Sequence, residues 1–252
     1  MNREPLVHVE DLHKEFLLSH SGVGSIKTLL LWWKRRYVER LHVLRGISFD
    51  IYPGESVAII GRNGAGKSTL MSLLARVYKP TSGVAEVRGR LAPLLELGAG
   101  FHLDLTGIQN IYINAQMMGL TKVQIDQRLD DIVAFSELVN HVDSPVRTYS
   151  SGMNARLGFS IAIHVDADVL LVDEVLAVGD FAFRQKCMDK ILELRAMGRT
   201  ILVSSHAGSE LPRMVDRCIW IQHGKIQMDG DPLEVVSAYE EGSVNTFEVD
   251  PL

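Results

Sequence analysis

Residues 61–69 read Gly61-Arg62-Asn63-Gly64-Ala65-Gly66-Lys67-Ser68-Thr69, between the apolar run Ser56 to Ile60 and the helix-like stretch Leu70 to Val77. A buried strand that turns through three glycines into a helix leaves a row of backbone N–H groups at the positive end of the helix dipole, which is a cradle for phosphate. Gly61, Gly64 and Gly66 permit backbone conformations and close approaches that a Cβ would obstruct. Lys67 has the length to reach terminal phosphates, and the Ser68 hydroxyl suits Mg²⁺. A glycine-rich turn before an ordinary helix would need neither the lysine nor the hydroxyl. The spacing G-x-x-x-x-G-K-S between strand and helix therefore predicts a site for ATP or GTP at residues 61–69.

Working outward, Leu6 to Val9 and His42 to Ile51 read as strands, and Pro53-Gly54-Glu55 forms the turn into the strand before the loop. Between them, Ile26, Leu29, Leu30, Trp33 and Tyr37 recur at helical spacing, with Lys27, Lys34, Arg35, Arg36 and Arg40 as a basic flank. Such a segment suits a membrane interface or a membrane-embedded partner, and equally a helix packed on its own domain with a solvated basic face. Beyond the turn at Lys79 to Gly83, Val84 to Val87 and Leu91 to Leu97 read as strands. A helical texture then holds from Thr106 to Val139, a lobe set into an α/β core. Strands are expected at Val169 to Val172, Thr200 to Ser204, and around Ile219 and Ile226. Helices are expected from Phe181 to Met197 and from Pro232 to Tyr239, with a loose tail after Gly242.

The strand Val169 to Val172 ends in Asp173 and Glu174. Beside a phosphate loop, the first acid suits Mg²⁺ and the second suits polarising an attacking water. His206 stands just past Thr200 to Ser204, where strand ends of a parallel sheet converge, and suits a contact to the γ-phosphate.

The chain has 252 residues, 46% hydrophobic and 23% charged, which is the profile of a folded globular protein. A formal net charge of −5 argues against nucleic acid as the main partner. Cys187 and Cys218 are far apart and lack metal-ligand spacing, which points to a reducing compartment. No basic n-region with an apolar h-region opens the chain and no apolar run approaches ~18 residues, so the chain is expected neither to enter nor to cross a membrane.

Tyr149-Ser150-Ser151-Gly152-Met153, ahead of a helix-like run, resembles the signature motif of ABC-type ATPases. The order of phosphate loop, helical lobe, signature, acidic strand end and histidine resembles that superfamily over nearly the whole chain. The resemblance implies an α/β P-loop NTPase fold: a RecA-like core with an antiparallel β lobe and an inserted α-helical lobe. The nucleotide-binding domain would span 1–242, with a helical insertion near 24–38, a helical lobe near 98–166 and a tail at 243–252. It also implies a head-to-tail homodimer in which Ser151 and Gly152 of one subunit cap the ATP held by the other.

By the same resemblance Asp180 takes the place of the D-loop aspartate, and Glu96 stands where most members carry a Mg²⁺-sensing glutamine. Phe16 matches the aromatic residue that stacks on adenine, with Tyr37 as the alternative. The spelling of the phosphate loop and signature, the run Leu94 to Phe101 and the early insertion resemble the ATPase subunits of polysaccharide exporters. That likeness implies ATP and Mg²⁺ as cofactors, a separate transmembrane permease in two copies, a lipid-linked polysaccharide as cargo, and a peripheral position on the cytoplasmic face of the membrane. Some members carry a carbohydrate-binding domain after the ATPase. None is expected here, because the chain stops soon after the last helix.

Overall fold

The computed structural model describes residues 4–19, 38–95, 97–98, 100–173, 179–205 and 211–245. The expected helical insertion and Tyr37 lie outside them, as do Glu96, Glu174 and His206.

Two sheets form the frame. The first is antiparallel, in the order β2-β1-β4, where β1 is Val7–Ser19, β2 is Val38–Ile51 and β4 is Ser82–Val87. The second has the order β5-β6-β7-β3-β8-β9, where β3 is Ser56–Ile60, β5 Leu91–Leu94, β6 Val169–Val172, β7 Thr200–Ser205, β8 Arg217–Gln222 and β9 Lys225–Gly230. All its pairings are parallel except β8 with β9. The strands β3 and β6 are buried along their whole length, as expected of a parallel sheet covered on both faces. Pro93 is tolerated in β5 because that strand sits at the sheet edge.

The antiparallel sheet packs on one face of the parallel sheet, with helix α1 (Lys67–Leu74) between them. Leu70, Met71, Leu73 and Leu74 join Leu44, Ile47, Val57 and Ile59 in one core. On the other face lie α6 (Phe181–Ala196), the short α7 (Leu211–Met214) and α8 (Pro232–Asn245). The helical lobe comprises α2 (Gly107–Met117), α3 (Lys122–Asp126), α4 (Leu129–Ser136) and α5 (Ser151–Ile163). Reciprocal capping boxes start two of these helices, Thr106 with Gln109 and Thr121 with Gln124. Asn110, fully buried, accepts from the His102 amide at 2.8 Å and donates to the carbonyls of His102, Leu105 and Thr106, which fixes the loop before α2.

Two elements run further than the sequence suggests. The first strand continues from Val9 to Ser19 through several register shifts. One lies beside Asp11, whose φ of 42° breaks the alternation that pattern reading depends on. The last helix continues past Tyr239 and Gly242 to Asn245, so residues 243–245 of the expected loose tail are helical, and the rest of it lies outside the described residues.

Candidate functional site: a phosphate loop facing two strand ends

The loop leaves β3 at Gly61 and enters α1 at Lys67. Gly66 is the N-cap, with φ at 109°, and no side chain caps the helix, so the first-turn N–H groups are left for a ligand. A Cβ on Gly66 would sit 2.7 Å from Leu44 Cδ2 and 3.1 Å from the Val43 carbonyl, so strand β2 presses the loop from outside. Arg62, Asn63 and Gly64 are exposed, whereas Ala65 and Lys67 are buried. The loop is braced from within by the Ala65 amide, which donates to the Arg62 carbonyl at 3.1 Å, and from the turn between β8 and β9 by the Gly224 amide, which donates to the Ala65 carbonyl at 3.2 Å.

Lys67 Nζ donates to the Gly61 carbonyl at 2.7 Å and to that of Arg62 at 3.4 Å, which holds the ammonium inside the curve of the loop. The Ser68 hydroxyl stands exposed at the first turn of α1, and Thr69 is half-buried. A cavity of about 390 Å³ opens here, lined by Asn63, Gly64, Gly66, Lys67, Ser68 and Thr69 on one side and by Phe16, Leu41, His42 and Val43 on the other. That volume suits a nucleotide-sized ligand.

Phe16 is half-buried at the far side of this cavity, edge-on to Tyr78 at 5.4 Å, with the Lys14 ammonium 4.9 Å from its ring centre. His42, which sequence reading passed over, lines the cavity beside it, and its Nδ1 lies 3.0 Å from Glu15 Oε1. The signal was the hairpin register: His42 lies opposite Glu15 and Leu41 opposite Phe16, which no single-strand pattern reveals.

The acidic strand end arrives on the same edge of the sheet. β7 lies between β6 and β3, with Val172 paired to Val203 and Ser205 to Ile60, so a single strand separates Asp173 from the start of the loop. Ser204 Oγ donates to Asp173 Oδ1, and the Asp173 amide reaches the Leu94 carbonyl at 3.4 Å. Ser204 was not foreseen either. It is 1% exposed and reads in sequence as one more residue of a buried strand. Glu174 and His206 follow Asp173 and Ser205 directly in the chain.

No group of three or more His, Cys, Asp or Glu side chains placed to hold a metal occurs among the described residues. Ser68 and Asp173 nevertheless offer hard oxygen donors on one edge of the sheet, which is the donor chemistry Mg²⁺ takes when nucleotide phosphates and water complete its shell.

The signature stretch starts α5. Ser150 is the N-cap, its hydroxyl accepting from the Met153 amide at 3.2 Å. That leaves the exposed Ser151 hydroxyl uncommitted to the cap. Gly152, half-buried in the first turn of the helix, is not among the positive-φ glycines, and a Cβ there would meet nothing among the described residues closer than Ser150 Oγ at 3.8 Å. Asp180 is the N-cap of α6: Oδ1 accepts from the Phe183 amide at 2.9 Å and Oδ2 from Arg156 Nη2 at 2.8 Å. The Phe183 N–H, followed by the charge of Arg156, holds this carboxyl below the usual range. Thus the loop, Phe16 and Asp173 gather at one edge of the core, while Ser151, Gly152 and Asp180 belong to the start of two other helices.

The antiparallel lobe, loop and helical lobe recur in solved structures. An ATP-binding subunit of an ABC transporter superimposes with a TM-score of 0.74 at 21% identity, covering 93% of each chain. A dimeric ATP-binding cassette in a post-hydrolysis state with ADP and Pi gives 0.71 at 17% identity, covering 89% of this chain and 98% of that one. At those identities the likeness concerns the fold. In sequence, the chain is 43% identical over 242 residues to the O-antigen export system ATP-binding protein RfbB of Klebsiella pneumoniae, covering 94% of this chain and 98% of that protein. It is 38% identical to the teichoic acids export ATP-binding protein TagH of Enterococcus faecalis, over 95% of this chain and 53% of that protein. The family described as ABC transporter matches residues 44–177, from within β2 to just past the acidic strand end. With its phosphate loop, signature helix and acidic strand end in one fold, the chain belongs to the ABC transporter family, as an ATP-binding cassette.

Proposed function

We propose that this chain is the ATPase subunit of an exporter of lipid-linked polysaccharide, that it dimerises head to tail on ATP, and that it drives a separate membrane subunit from the cytoplasmic face. The cargo reading is carried by the 43% identity to an O-antigen export ATP-binding protein, which spans nearly the full length of both chains. Among the described residues no helix is long and apolar enough to cross a membrane, in keeping with a permease on another chain.

The chemistry assigned to each residue follows from its position. The N–H groups around Gly64 to Ser68 and the Lys67 ammonium would hold the β- and γ-phosphates, while Phe16 packs against the base. Asp173, oriented by Ser204, and Ser68, with Glu96 as a further oxygen donor, would hold Mg²⁺, which neutralises phosphate charge when bound. Glu174 orients the attacking water and His206 contacts the γ-phosphate. Positioning and charge, with no covalent step on the protein, suffice for phosphoryl transfer to water.

Gly152 supports the head-to-tail arrangement. Against the described residues of its own subunit an alanine would fit there and would favour the helix by up to about 1 kcal/mol. A glycine at that place is explained by close approach of something outside the subunit, and an exposed hydroxyl and N–H groups at a helix start suit a partner's γ-phosphate. Closure on ATP and reopening after hydrolysis would then move the docked permease.

The test is made in cells that lack the gene, complemented with wild type or Glu174→Gln. Surface glycan restored by wild type alone, with glycan accumulating inside in the Glu174→Gln strain, is the expected result. Unchanged surface glycan on deletion overturns the cargo assignment.

A further inference from the structure

Arg156 lies on α5, one and a half turns beyond Ser151, and its guanidinium joins three helices. Nη1 donates to Glu137 Oε2 at 2.6 Å, Nη2 donates to Asp180 Oδ2 at 2.8 Å, and the guanidinium carbon lies 4.7 Å from the centre of the Phe183 ring. The side chain is only 18% exposed, which marks it as packed into the joint and not laid over the surface.

Both carboxylates are themselves fixed. Glu137 follows the last turn of α4 in a left-handed conformation, with φ at 60°. Its second oxygen accepts from Lys186 Nζ at 3.1 Å. Lys186, on α6, also donates to the Phe135 carbonyl at 2.9 Å and stands 4.6 Å from the Phe135 ring centre. Asp180 spends its other oxygen on capping α6. Two cations and two anions thus alternate around one joint. A planar fork with two carboxylates in fixed directions is a geometry that arginine fills and lysine does not.

The joint lies between two elements with different duties. α5 begins with Ser151 and Gly152, which in the proposed dimer act on the partner's nucleotide. α6 begins at Phe181, a few residues after Asp173 and Glu174, which act on the subunit's own nucleotide. We propose that Arg156 is a positioning residue that couples the two nucleotide sites of the dimer. When Ser151 and Gly152 close on the partner's nucleotide, α5 moves, and Arg156 carries that movement to Asp180 and so to α6, whose start follows the acidic strand end in the chain. Glu137 holds the helical lobe to the same joint, so the lobe and α6 move together. This inference rests on the head-to-tail reading above.

The test compares Arg156→Gln, Arg156→Lys and Asp180→Asn in the full chain. Asparagine still caps α6 but loses the charge, so Asp180→Asn probes the pair in a correctly started helix. Three measurements are made: ATP-dependent dimerisation of a Glu174→Gln background, the kcat, KM and Hill coefficient of ATP hydrolysis, and nucleotide affinity of the isolated subunit. The expected result is a fall in kcat of about tenfold, within the range of coupling between sites, with the Hill coefficient moving to one. Affinity of the isolated subunit stays within about twofold, and Arg156→Lys does not rescue. The Arg156→Gln/Asp180→Asn double variant is expected to be no worse than either single one, because both remove one interaction. Wild-type kcat and cooperativity in Arg156→Gln, or losses that multiply in the double variant, overturn the coupling role while leaving the dimer intact. A wild-type protein that neither dimerises on ATP nor hydrolyses it cooperatively overturns the head-to-tail reading itself.

Discussion

Ser204 Oγ donates to the carboxylate of Asp173 across the seam between β6 and β7, from a position that is 1% exposed. The bond aims a carboxylate at the edge of the sheet where the phosphate loop begins, and a hydrogen bond to a charged acceptor is worth about 1.5–3 kcal/mol. Ser204→Ala deletes that donor with little change in volume. The expected outcome is a fall of about tenfold to a hundredfold in ATPase kcat. Nucleotide binding measured in EDTA should be unchanged if, as proposed above, Asp173 serves the metal and not the nucleotide itself. Equal losses in both measurements would mean that Ser204 supports the loop and not the carboxylate.

Gly64 and Gly66 make a second, paired prediction. Both have positive φ, 80° and 109°, yet a Cβ on Gly64 would meet nothing among the described residues within 4 Å, whereas one on Gly66 would press on Leu44 and the Val43 carbonyl. Gly64→Ala therefore carries only the left-handed strain of an alanine, about 1–2 kcal/mol. Gly66→Ala adds a collision with the fully buried Leu44 side chain and a tight contact with the Val43 carbonyl, both on strand β2. Urea unfolding of the two variants is expected to show the larger loss for Gly66→Ala, with nucleotide binding abolished there.

The antiparallel lobe carries a pH-dependent contact. His8 Nδ1 lies 2.6 Å from Asp50 Oδ1, with Glu10 and Glu86 also facing it. The hydrogen bond to Asp50, opposed by burial, raises the imidazole pKa above its ordinary value. A raised folded pKa places the stabilisation fully below the unfolded value of about 6.5, and it is lost as pH rises through the folded value. The melting temperature of His8→Asn is expected to lie below that of wild type at about pH 5.5 and to converge with it at about pH 9. A difference that persists unchanged to high pH would show packing and not charge.

The parts of the fold and site legible in sequence were those written in consecutive residues. The buried strands Ser56–Ile60 and Val169–Val172 and the loop between Gly61 and Thr69 each carry their signal locally, by apolar runs and fixed spacing. The extent of β1 was not legible, because register shifts near Asp11 interrupt alternation and one face of the hairpin is solvated. Ser204, His42 and Arg156 were not legible either. Their partners are Asp173, Glu15, Glu137 and Asp180, and only the register between strands or the crossing of helices brings each pair together.

Two glycines on one helix separate a requirement of the fold from a requirement of the assembly. A Cβ on Gly158, in the middle of α5, would lie 2.8 Å from the Gly98 amide nitrogen and 3.2 Å from the Leu97 carbonyl carbon, so the loop after Glu96 rests backbone against backbone on the helix. Gly152, at the start of the same helix, meets no such neighbour among the described residues of its own subunit. Alanine is favoured over glycine in a helix by about 1 kcal/mol. That gain is expected to appear in part for Gly152→Ala and to be outweighed for Gly158→Ala, where overpacking against fixed backbone costs about 1–3 kcal/mol. Gly152→Ala should therefore melt at or above the wild-type temperature yet lose ATP-driven dimerisation in the Glu174→Gln background. Gly158→Ala should melt lower and displace the loop. A Gly152→Ala protein that dimerises normally would remove the main structural support for the head-to-tail arrangement, since the glycine would then answer to nothing inside or outside the subunit.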